Sequence, residues 1–397
     1  MVTRKSSTLE NFTMKKIRFA LRTRKNDLRN RFLAMASVLP SPNYQVLNFG
    51  IGEDKNIVDD RVFECINQNM RSDGAMAYSE NICHEAISSF KTFALKNYGV
   101  ELEDENMMLT MGIKPTLNYL AMLLVDAYTK VLVTTPGYNI FGRIAKLLNA
   151  KVYEYPLFND KYEDLLDYIE KEKINPKVIS LNYPNNPTGK SASNTFYKRL
   201  SEYAEKHNVI LINDAAYIDY SYQTSPVSLL SQGFDNKIEI YTASKTFGLT
   251  GMRVGMICGD KRIIEKLNII RDQFDSGQAK PFLQAYSYLL NKNDISYQKN
   301  KYYRRYNQFK NIAIKYDIIV NEIDSTFYAF FKIPEWMKKF GEDAMSIAKY
   351  LKSNYSVIFI PYSTSSGEYL RASMTFNDDE DLNLLDQRLE IMRDVGE

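Results

Sequence analysis

The stretch Tyr241-Thr-Ala-Ser-Lys-Thr-Phe-Gly-Leu-Thr-Gly-Met-Arg-Val-Gly255 decides the fold and contains the lysine on which the chemistry depends. The apolar run from residue 238 to 241 leads into it, and the run 253–259 leaves it, and both have the composition of strands. Lys245 is therefore predicted on a connection between two strands, among hydroxyl residues and glycines that let an anion approach the backbone closely. Most lysines are solvated surface ammonium groups. On such a loop, however, the neutral amine can form a Schiff base with an aldehyde.

This stretch resembles the lysine segment of the fold-type I pyridoxal-phosphate enzymes, in particular the class I and II aminotransferases. The family pattern is S/T-x-S/A-K-x-x-G-x-x-G-x-R-x-G, and the matching positions are Thr242, Lys245, Gly248, Gly251, Arg253 and Gly255. The resemblance implies that pyridoxal 5'-phosphate is the cofactor and that Lys245 is the catalytic residue that binds it covalently. It also implies that Thr242 and Arg253 bind the cofactor.

Composition limits the classes of protein to which the chain can belong. Its 397 residues are enough for one large domain or two unequal ones. The net charge of +3 indicates no polyanionic partner for the surface as a whole. Two histidines, His84 and His207, are too few for a histidine-rich metal site and argue against Ser-His-Asp catalysis. We therefore predict no metal site, and acid–base chemistry through lysine, tyrosine or carboxylates.

Cysteine usage and hydropathy bear on location. Cys65, Cys83 and Cys258 are too widely spaced for a disulfide framework or a zinc site, which indicates a reducing, cytoplasmic setting. No apolar run reaches the roughly 18 residues that a membrane span requires. The segment from Met1 to Arg31 holds ten Lys or Arg and two acids, and we interpret it as an arm that packs on a partner subunit. A transit peptide and a nucleic-acid-binding arm are the alternatives, the latter from a different functional class.

Two further segments are predicted to hold the cofactor. The segment 107–117 is predicted to form a strand, a glycine turn and a helix, and such a turn is an anion site because unpaired N–H groups converge there. By the resemblance, Gly112, Ile113 and Lys114 bind the phosphate. Tyr138 follows the predicted strand 131–135, and it matches the family's aromatic residue that stacks on the pyridine ring.

Polar residues follow the next two predicted strands. Asn186 lies in the Asn-Pro-Thr-Gly turn after the strand at 178–181, and it matches the asparagine that binds the 3-oxygen of the pyridine ring and lies near the substrate. Asp214 follows the four apolar residues 209–212 and Asn213, at the end of a predicted buried strand, where a carboxylate is costly unless it meets a cation. The resemblance implies that this cation is the pyridine nitrogen. It also implies that Tyr217 donates to the 3-oxygen.

The resemblance assigns the remaining residues to the substrate and to a second subunit. Gly52 is predicted to line the substrate mouth, and Arg371 to bind the substrate α-carboxylate with its planar guanidinium. Tyr78 matches a tyrosine that crosses a dimer interface to the partner's phosphate, although Cys83 replaces the glycine that the family has five residues later. The chain is therefore predicted to be a homodimer.

The alternation of strands and helices predicts an α/β fold with a mostly parallel sheet between helices, with ligands at the carboxyl ends of its strands. Residues 50–290 are predicted to form the large cofactor domain. Residues 291–397 are predicted to form a smaller α+β domain, with residues 1–49 as the amino-terminal arm and part of that domain.

The activity that the resemblance implies is the transfer of an amino group between an L-amino acid and a 2-oxo acid. A lyase, a decarboxylase or another non-transaminating pyridoxal-phosphate enzyme is the alternative. No second arginine is assigned to a distal carboxylate of the substrate.

Overall fold

The computed structural model describes residues 31–54, 59–78, 83–157, 164–222 and 225–395. Within these ranges the helices are α1 Arg31–Ala36, α2 Arg61–Met70, α3 His84–Tyr98, α4 Ile113–Leu124, α5 Ile140–Leu147, α6 Leu165–Lys171, α7 Asn194–His207, α8 Ala243–Thr246, α9 Lys261–Arg271, α10 Lys280–Lys292, α11 Ser296–Lys315, α12 Ala344–Tyr355 and α13 Glu380–Asp394. The strands are β1 Leu47–Asn48, β2 Met107–Thr110, β3 Lys130–Thr135, β4 Lys151–Pro156, β5 Val178–Leu181, β6 Ile210–Asp214, β7 Lys237–Thr242, β8 Gly255–Gly259, β9 Tyr328–Lys332, β10 Val357–Ile358, β11 Ile360–Thr364 and β12 Gly367–Ser373.

The large sheet has the strand order β2-β8-β7-β6-β5-β3-β4. Among these described strands only β8 runs antiparallel to its neighbours. Both faces of the sheet are covered, which explains the nearly continuous apolar runs of its inner strands. On β3, Val131 and Val133 belong to the core cluster that contains Leu120 of α4. Leu132 belongs to a second cluster with Leu200 of α7. The predicted α/β fold is confirmed.

The direction of the strands determines where the site forms. Because β2, β3, β5, β6 and β7 run the same way, their carboxyl ends meet at one edge of the sheet. Asp214 is the last residue of β6, and Lys245 follows β7 by three residues. Ligands of open α/β sheets bind at this edge.

A smaller antiparallel sheet in the order β11-β12-β9 faces the same region. Arg371 lies on its central strand, opposite Ile360 and Phe330. The short strand β1 pairs in parallel with β10, which ties residues 47–48 to residues 357–358.

The division of the chain after residues 49 and 290 stays a prediction. None of the helices in the described ranges has both the length and the apolarity needed to cross a bilayer.

Candidate active site

A cavity of about 490 Å³ lies where the carboxyl edge of the large sheet meets the smaller sheet. The predicted site residues that line it are Gly52, Ile113, Lys114, Tyr138, Asn186, Asp214, Tyr217, Thr242, Lys245, Arg253 and Arg371. Gly112 lies directly beside this set, where α4 begins. Tyr78 is not among the cavity's described lining residues, and 88% of its surface is exposed. The structure thus brings together residues from distant parts of the chain and leaves Tyr78 apart from them.

The lysine of the opening stretch lies on α8, which begins directly after β7. The side chain of Thr242 caps this short helix by accepting a hydrogen bond from the backbone N–H of its second residue. Lys245 Nζ donates to the carbonyl oxygen of Gly52 at 2.5 Å. Burial, followed by the positive charge of Arg371, lowers the pKa of Lys245 to about 8. About a tenth of this amine is therefore neutral at pH 7, far more than for a lysine with the ordinary pKa.

The carboxylate at the end of β6 is buried and only half satisfied. Asp214 is 3% exposed, and its Oδ1 accepts a hydrogen bond from the backbone N–H of Ala216 at 3.2 Å. Its Oδ2 has no hydrogen-bond partner among the described residues. Burial raises the pKa of Asp214 to about 7, against the opposing effects of that hydrogen bond and of the Lys245 charge. A cationic N–H group in the cavity would satisfy the orphaned oxygen and favour the ionised carboxylate.

One buried amide joins three of the loops that form the cavity. Asn182 Oδ1 accepts from the backbone N–H groups of Tyr138 at 3.3 Å and Asn186 at 3.1 Å. Its Nδ2 donates to the carbonyl oxygen of Asp214 at 3.0 Å. Asn182 was not identified from the sequence. It lies four residues before Asn186, directly after β5, and no motif distinguishes it from an ordinary turn residue.

The arginine of β12 is buried without a carboxylate partner among the described residues. Arg371 is 2% exposed, and it donates through Nη1 to Asn186 Oδ1 at 2.9 Å and through Nη2 to the Gly50 carbonyl at 2.6 Å. Its Nε has no hydrogen-bond partner in the described part of the chain. The guanidinium lies 4.1 Å from the centre of the Tyr328 ring. A buried cation without a counter-ion is costly, so the arrangement is suited to a carboxylate ligand.

Two tyrosines form a hydrogen-bonded pair beside this arginine. The hydroxyl groups of Tyr217 and Tyr328 lie 2.9 Å apart, and Asn186 Nδ2 lies 3.5 Å from the Tyr217 hydroxyl. Tyr328 was missed in the sequence, where it is one of 29 tyrosines. A Cβ atom on Gly52 would lie 2.0 Å from the Tyr328 hydroxyl oxygen, so only glycine fits this approach.

The opposite end of the cavity has the features of an anion site. Gly112 has φ +81° and ψ 174° and precedes α4, a helix of 12 residues. A Cβ atom on Gly112 would lie 2.6 Å from Nη2 of Arg253. Arg253 is exposed, and its Nη1 donates to the Thr250 carbonyl at 2.7 Å. Free N–H groups of a helix start beside a guanidinium attract a phosphate group.

Other lining residues carried no recognisable signal in the sequence. They are Arg31, Phe32, Ile51, Glu53, Pro115, Gly137, Asn139, Ile140, Arg143, Ala216, Ser244, Thr250, Tyr328 and Tyr362. Arg31 was counted as one of ten cations in the basic arm, and Arg143 lies in an amphipathic helix where a solvated arginine is ordinary. Only the folded chain shows that both border the cavity.

Comparison with known proteins adds an independent observation. A family model described as aminotransferase class I and II matches residues 44–387. The LL-diaminopimelate aminotransferase of Methanocaldococcus jannaschii is 30% identical over 343 residues, which are 84% of this chain and 82% of that protein. Its counterpart in Methanococcus maripaludis is 28% identical over 351 residues, or 86% and 84% of the two chains.

Solved structures show the same architecture. Substrate-bound BacF from Bacillus subtilis has a TM-score of 0.80 and 26% identity, covering 88% of this chain and 91% of that one. An aminotransferase from Staphylococcus aureus has a TM-score of 0.82 at 21% identity, covering 92% and 99% of the two chains, and at that identity it supports the fold alone.

Proposed function

The chain belongs to the class I and II aminotransferases and is a pyridoxal-phosphate-dependent enzyme that moves an amino group between an L-amino acid and a 2-oxo acid; from this premise we propose that the cavity around Lys245 is its active site. The proposal rests on one observation, that two complementary groups line the same cavity. Lys245 provides a buried amine with a lowered pKa, and Asp214 provides a buried carboxylate oxygen without a partner among the described residues.

The residues present fit the cofactor. Pyridoxal phosphate, when bound, supplies an aldehyde for the amino group and a protonated ring that accepts electrons from the substrate Cα. Asp214 would hold the proton on the ring nitrogen. The residues that would hold the phosphate group are Gly112, Ile113, Lys114, Thr242 and Arg253. Tyr138 would stack on the ring, and the Tyr217 hydroxyl and the Asn186 amide would bind its 3-oxygen.

We propose that Lys245 Nζ also moves the proton of the substrate. A neutral amine can accept the proton from Cα and then return it, and the lowered pKa places this change of protonation close to neutral pH. The Gly52 carbonyl holds Nζ at the cavity wall when the amine is not engaged. Arg371 would bind the α-carboxylate and so orient the Cα–H bond of the substrate. Its unpartnered Nε and its position beside Tyr328 support this role.

The proposal extends to the assembly and the location. We propose a homodimer in which Tyr78 binds the phosphate in the partner's active site, because its exposed ring lies outside the cavity of its own chain. Residues 50–290 are proposed as the cofactor domain, and residues 1–49 and 291–397 as the smaller one. The three cysteines are free, which supports a cytoplasmic location.

The decisive experiment is a half-reaction. Purified holoenzyme is mixed with an amino acid and no 2-oxo acid, and the bound cofactor is followed by absorbance. We expect stoichiometric conversion to the amine form of the cofactor, with one 2-oxo acid released per site. Because the curated relatives are named for LL-diaminopimelate, it is the first donor to test. The Lys245→Ala variant is the control and should convert no cofactor. Release of ammonia with an unchanged cofactor would contradict aminotransfer and indicate a lyase.

A further inference from the structure

The helix that carries Lys245 is too short to hold its own shape. α8 has four residues, and the backbone N–H of Phe247, which follows them, donates to the Ala243 carbonyl at 3.1 Å. Ordering a single turn costs more conformational entropy than one such bond returns, so contacts from other parts of the chain must fix it. The Ser244 carbonyl accepts a hydrogen bond from the Thr250 hydroxyl at 3.1 Å, which supports the turn from its carboxyl side.

One buried turn holds α8 at the lysine itself. This is the 3₁₀ turn Ile218–Tyr220, which lies beyond the carboxyl end of β6. The Tyr220 hydroxyl donates to the backbone carbonyl of Lys245 at 2.8 Å. The Thr246 hydroxyl donates to Asp219 Oδ2 at 2.5 Å. Two neighbouring side chains of the turn thus fix the lysine backbone and the side chain of the residue that follows it.

The turn is firmly packed. Asp219 is 6% exposed and Tyr220 is 1% exposed. The second carboxylate oxygen of Asp219, Oδ1, accepts from the Tyr98 hydroxyl at 2.6 Å, and the Tyr98 ring stacks on Tyr241 with its centre 5.4 Å away. The Tyr220 ring meets Phe327 edge-on at 5.4 Å between ring centres. Both oxygens of the buried carboxylate therefore have a donor, and both side chains reach α8 from a rigid base.

The same segment carries groups that are proposed to hold the cofactor ring. Asp214 precedes Asp219 by five residues, and Tyr217 precedes it by two. The backbone N–H of Tyr220 donates to the Tyr217 carbonyl at 3.0 Å. Neither Asp219 nor Tyr220 is among the described lining residues of the cavity. One short, rigid segment thus sets the position of the Lys245 backbone relative to the proposed ring-binding groups, without either clamping side chain touching a ligand.

We propose that Asp219 and Tyr220 are positioning residues that hold the backbone of α8 so that Lys245 Nζ stays within reach of the substrate Cα. This inference rests on the proposed function, in which that amine moves the Cα proton. Proton transfer requires a hydrogen-bond distance between the amine and the Cα–H group. A misplacement of about 1 Å costs on the order of 100-fold in rate, so a small relaxation of α8 should be measurable.

The kinetic test uses a matched pair of tyrosines. Tyr220→Phe removes a hydroxyl donor from the Lys245 carbonyl, and Tyr306→Phe removes one from the Asn321 carbonyl, where the bond measures 2.6 Å. Both rings are 1% exposed, so the two changes should lower the urea midpoint to a similar extent. The readout is the single-turnover half-reaction of the holoenzyme with LL-diaminopimelate, whose rate constant counts folded sites alone.

We expect Tyr220→Phe to lower the saturating rate constant of this half-reaction by about 10- to 100-fold, with an unchanged Kd for the amino acid. Tyr306→Phe should stay close to the wild type. The slowed reaction should show a primary isotope effect when the amino acid is deuterated at its α-carbons, because transfer of the Cα proton is then the slow step. Equal rates in the two variants, or a slowed reaction without an isotope effect, would overturn the inference.

The contact made by Asp219 is tested from the other side of its hydrogen bond. Thr246→Val removes the hydroxyl donor and keeps the branched shape, and it should slow the half-reaction as Tyr220→Phe does. Thr246→Ser restores the donor to Asp219 Oδ2 and should recover most of the rate. Equal rates for the valine and serine variants would contradict the role of Asp219.

A measurement on the apoprotein separates this inference from the proposed function. Saturating pyridoxal phosphate is added, and the condensation of the Lys245 amine with its aldehyde, which releases water, is trapped with borohydride and counted by mass spectrometry. We expect Tyr220→Phe to slow this bond formation by about tenfold or more, and Tyr306→Phe to leave it unchanged. If the wild type converts no amino donor, the proposed function fails, yet this rate still decides the positioning role. Equal trapping rates in the two tyrosine variants would overturn it.

Discussion

The carboxylate of Asp214 is deeply buried, and one of its oxygens lacks a hydrogen-bond partner among the described residues. Its ionisation should therefore make the stability of the apoprotein depend on pH. Its pKa of about 7 in the folded chain lies above the ordinary value of 3.8. Between these values the folded protein retains a proton that the unfolded chain has released, so the stability of the apoprotein falls as the pH rises. Three pKa units correspond to roughly 4 kcal/mol.

We therefore expect apo Asp214→Asn to be more stable than the apo wild type near pH 8, by about 2–4 kcal/mol, and nearly equal to it near pH 4. Asparagine keeps the shape of the side chain and cannot ionise. Urea denaturation of both apoproteins across this pH range measures the difference. Cofactor should then stabilise the wild type more than the variant. Parallel pH profiles for the two apoproteins would contradict the assignment of a buried, uncompensated carboxylate.

The amine of Lys245 should react as a neutral nucleophile with a midpoint near its own pKa. With a pKa of about 8, the neutral fraction increases about fivefold between pH 7 and pH 8 and levels off above pH 9. We expect the initial rate at which apoprotein couples to pyridoxal phosphate, trapped with borohydride and measured by mass spectrometry, to follow this curve. Lys245→Ala should give no adduct on α8. A rate that continues to rise towards pH 10.5 would indicate a solvated lysine instead.

At the scale of single residues, the sequence predicts those groups whose chemistry requires one residue type at a short, fixed spacing. Lys245 and Asp214 are of this kind, and both line the cavity as the motifs indicated. Asn182 and Tyr328 could not be found in this way. Their importance comes from contacts with residues far along the chain, such as the pairing of Tyr328 with Tyr217 across 111 positions.

Among the secondary-structure elements, the start of α4 allows a controlled test of the anion site. Gly112 has φ +81° and ψ 174°, and Gly233 has nearly the same backbone, φ 85° and ψ 176°. A Cβ atom on Gly112 would meet Arg253, whereas one on Gly233 would meet nothing within 4 Å. Alanine is strained at both positions, and the cost is about 1–3 kcal/mol in each case.

We expect Gly112→Ala and Gly233→Ala to lower stability to a similar extent, whereas only Gly112→Ala should weaken cofactor binding. A displaced Arg253 would lose its place beside the helix start, which predicts an increase of about tenfold or more in the dissociation constant of pyridoxal phosphate. Thermal unfolding of the apoproteins and cofactor titration provide the two measurements. Equal cofactor affinity in both variants would show that the phosphate does not lie at this helix start.

The elements themselves were predictable where burial on both sides of the sheet leaves an apolar run between turn residues. The runs that end at Leu181 and Asp214 became β5 and β6. Which strands pair with each other was harder to predict from the sequence. Nothing in the two residues of β1 indicates that they pair with β10, more than 300 positions away, because such a short strand is stable only in its tertiary context.

At the scale of the whole molecule, the order of the motifs along the chain was enough to predict the fold, because the matched residues from Gly112 to Lys245 lie at or just after the carboxyl ends of strands of one open sheet. The composition of the cavity could not be predicted in the same way. Its walls extend from Arg31 to Arg371, so its charge and the substrate group that it accepts depend on how the smaller sheet closes over the large one. No local pattern contains that information.

The role of Tyr78 also belongs to this scale, because its side chain is exposed and is not among the described lining residues of its own chain's cavity, yet it is proposed to serve a partner's site. We expect the 46.0 kDa chain to sediment as a dimer.

Tyr78→Ala and Lys245→Ala homodimers should both be impaired, the first in cofactor affinity and the second in all turnover. If the two variants are unfolded together and refolded as a mixture, each heterodimer contains one site with an intact Lys245 and, from the other subunit, an intact Tyr78. That site should recover wild-type cofactor affinity and about half the activity of a wild-type dimer. Were Tyr78 to act within its own chain, the only site with Lys245 would still lack it, and mixing would restore nothing.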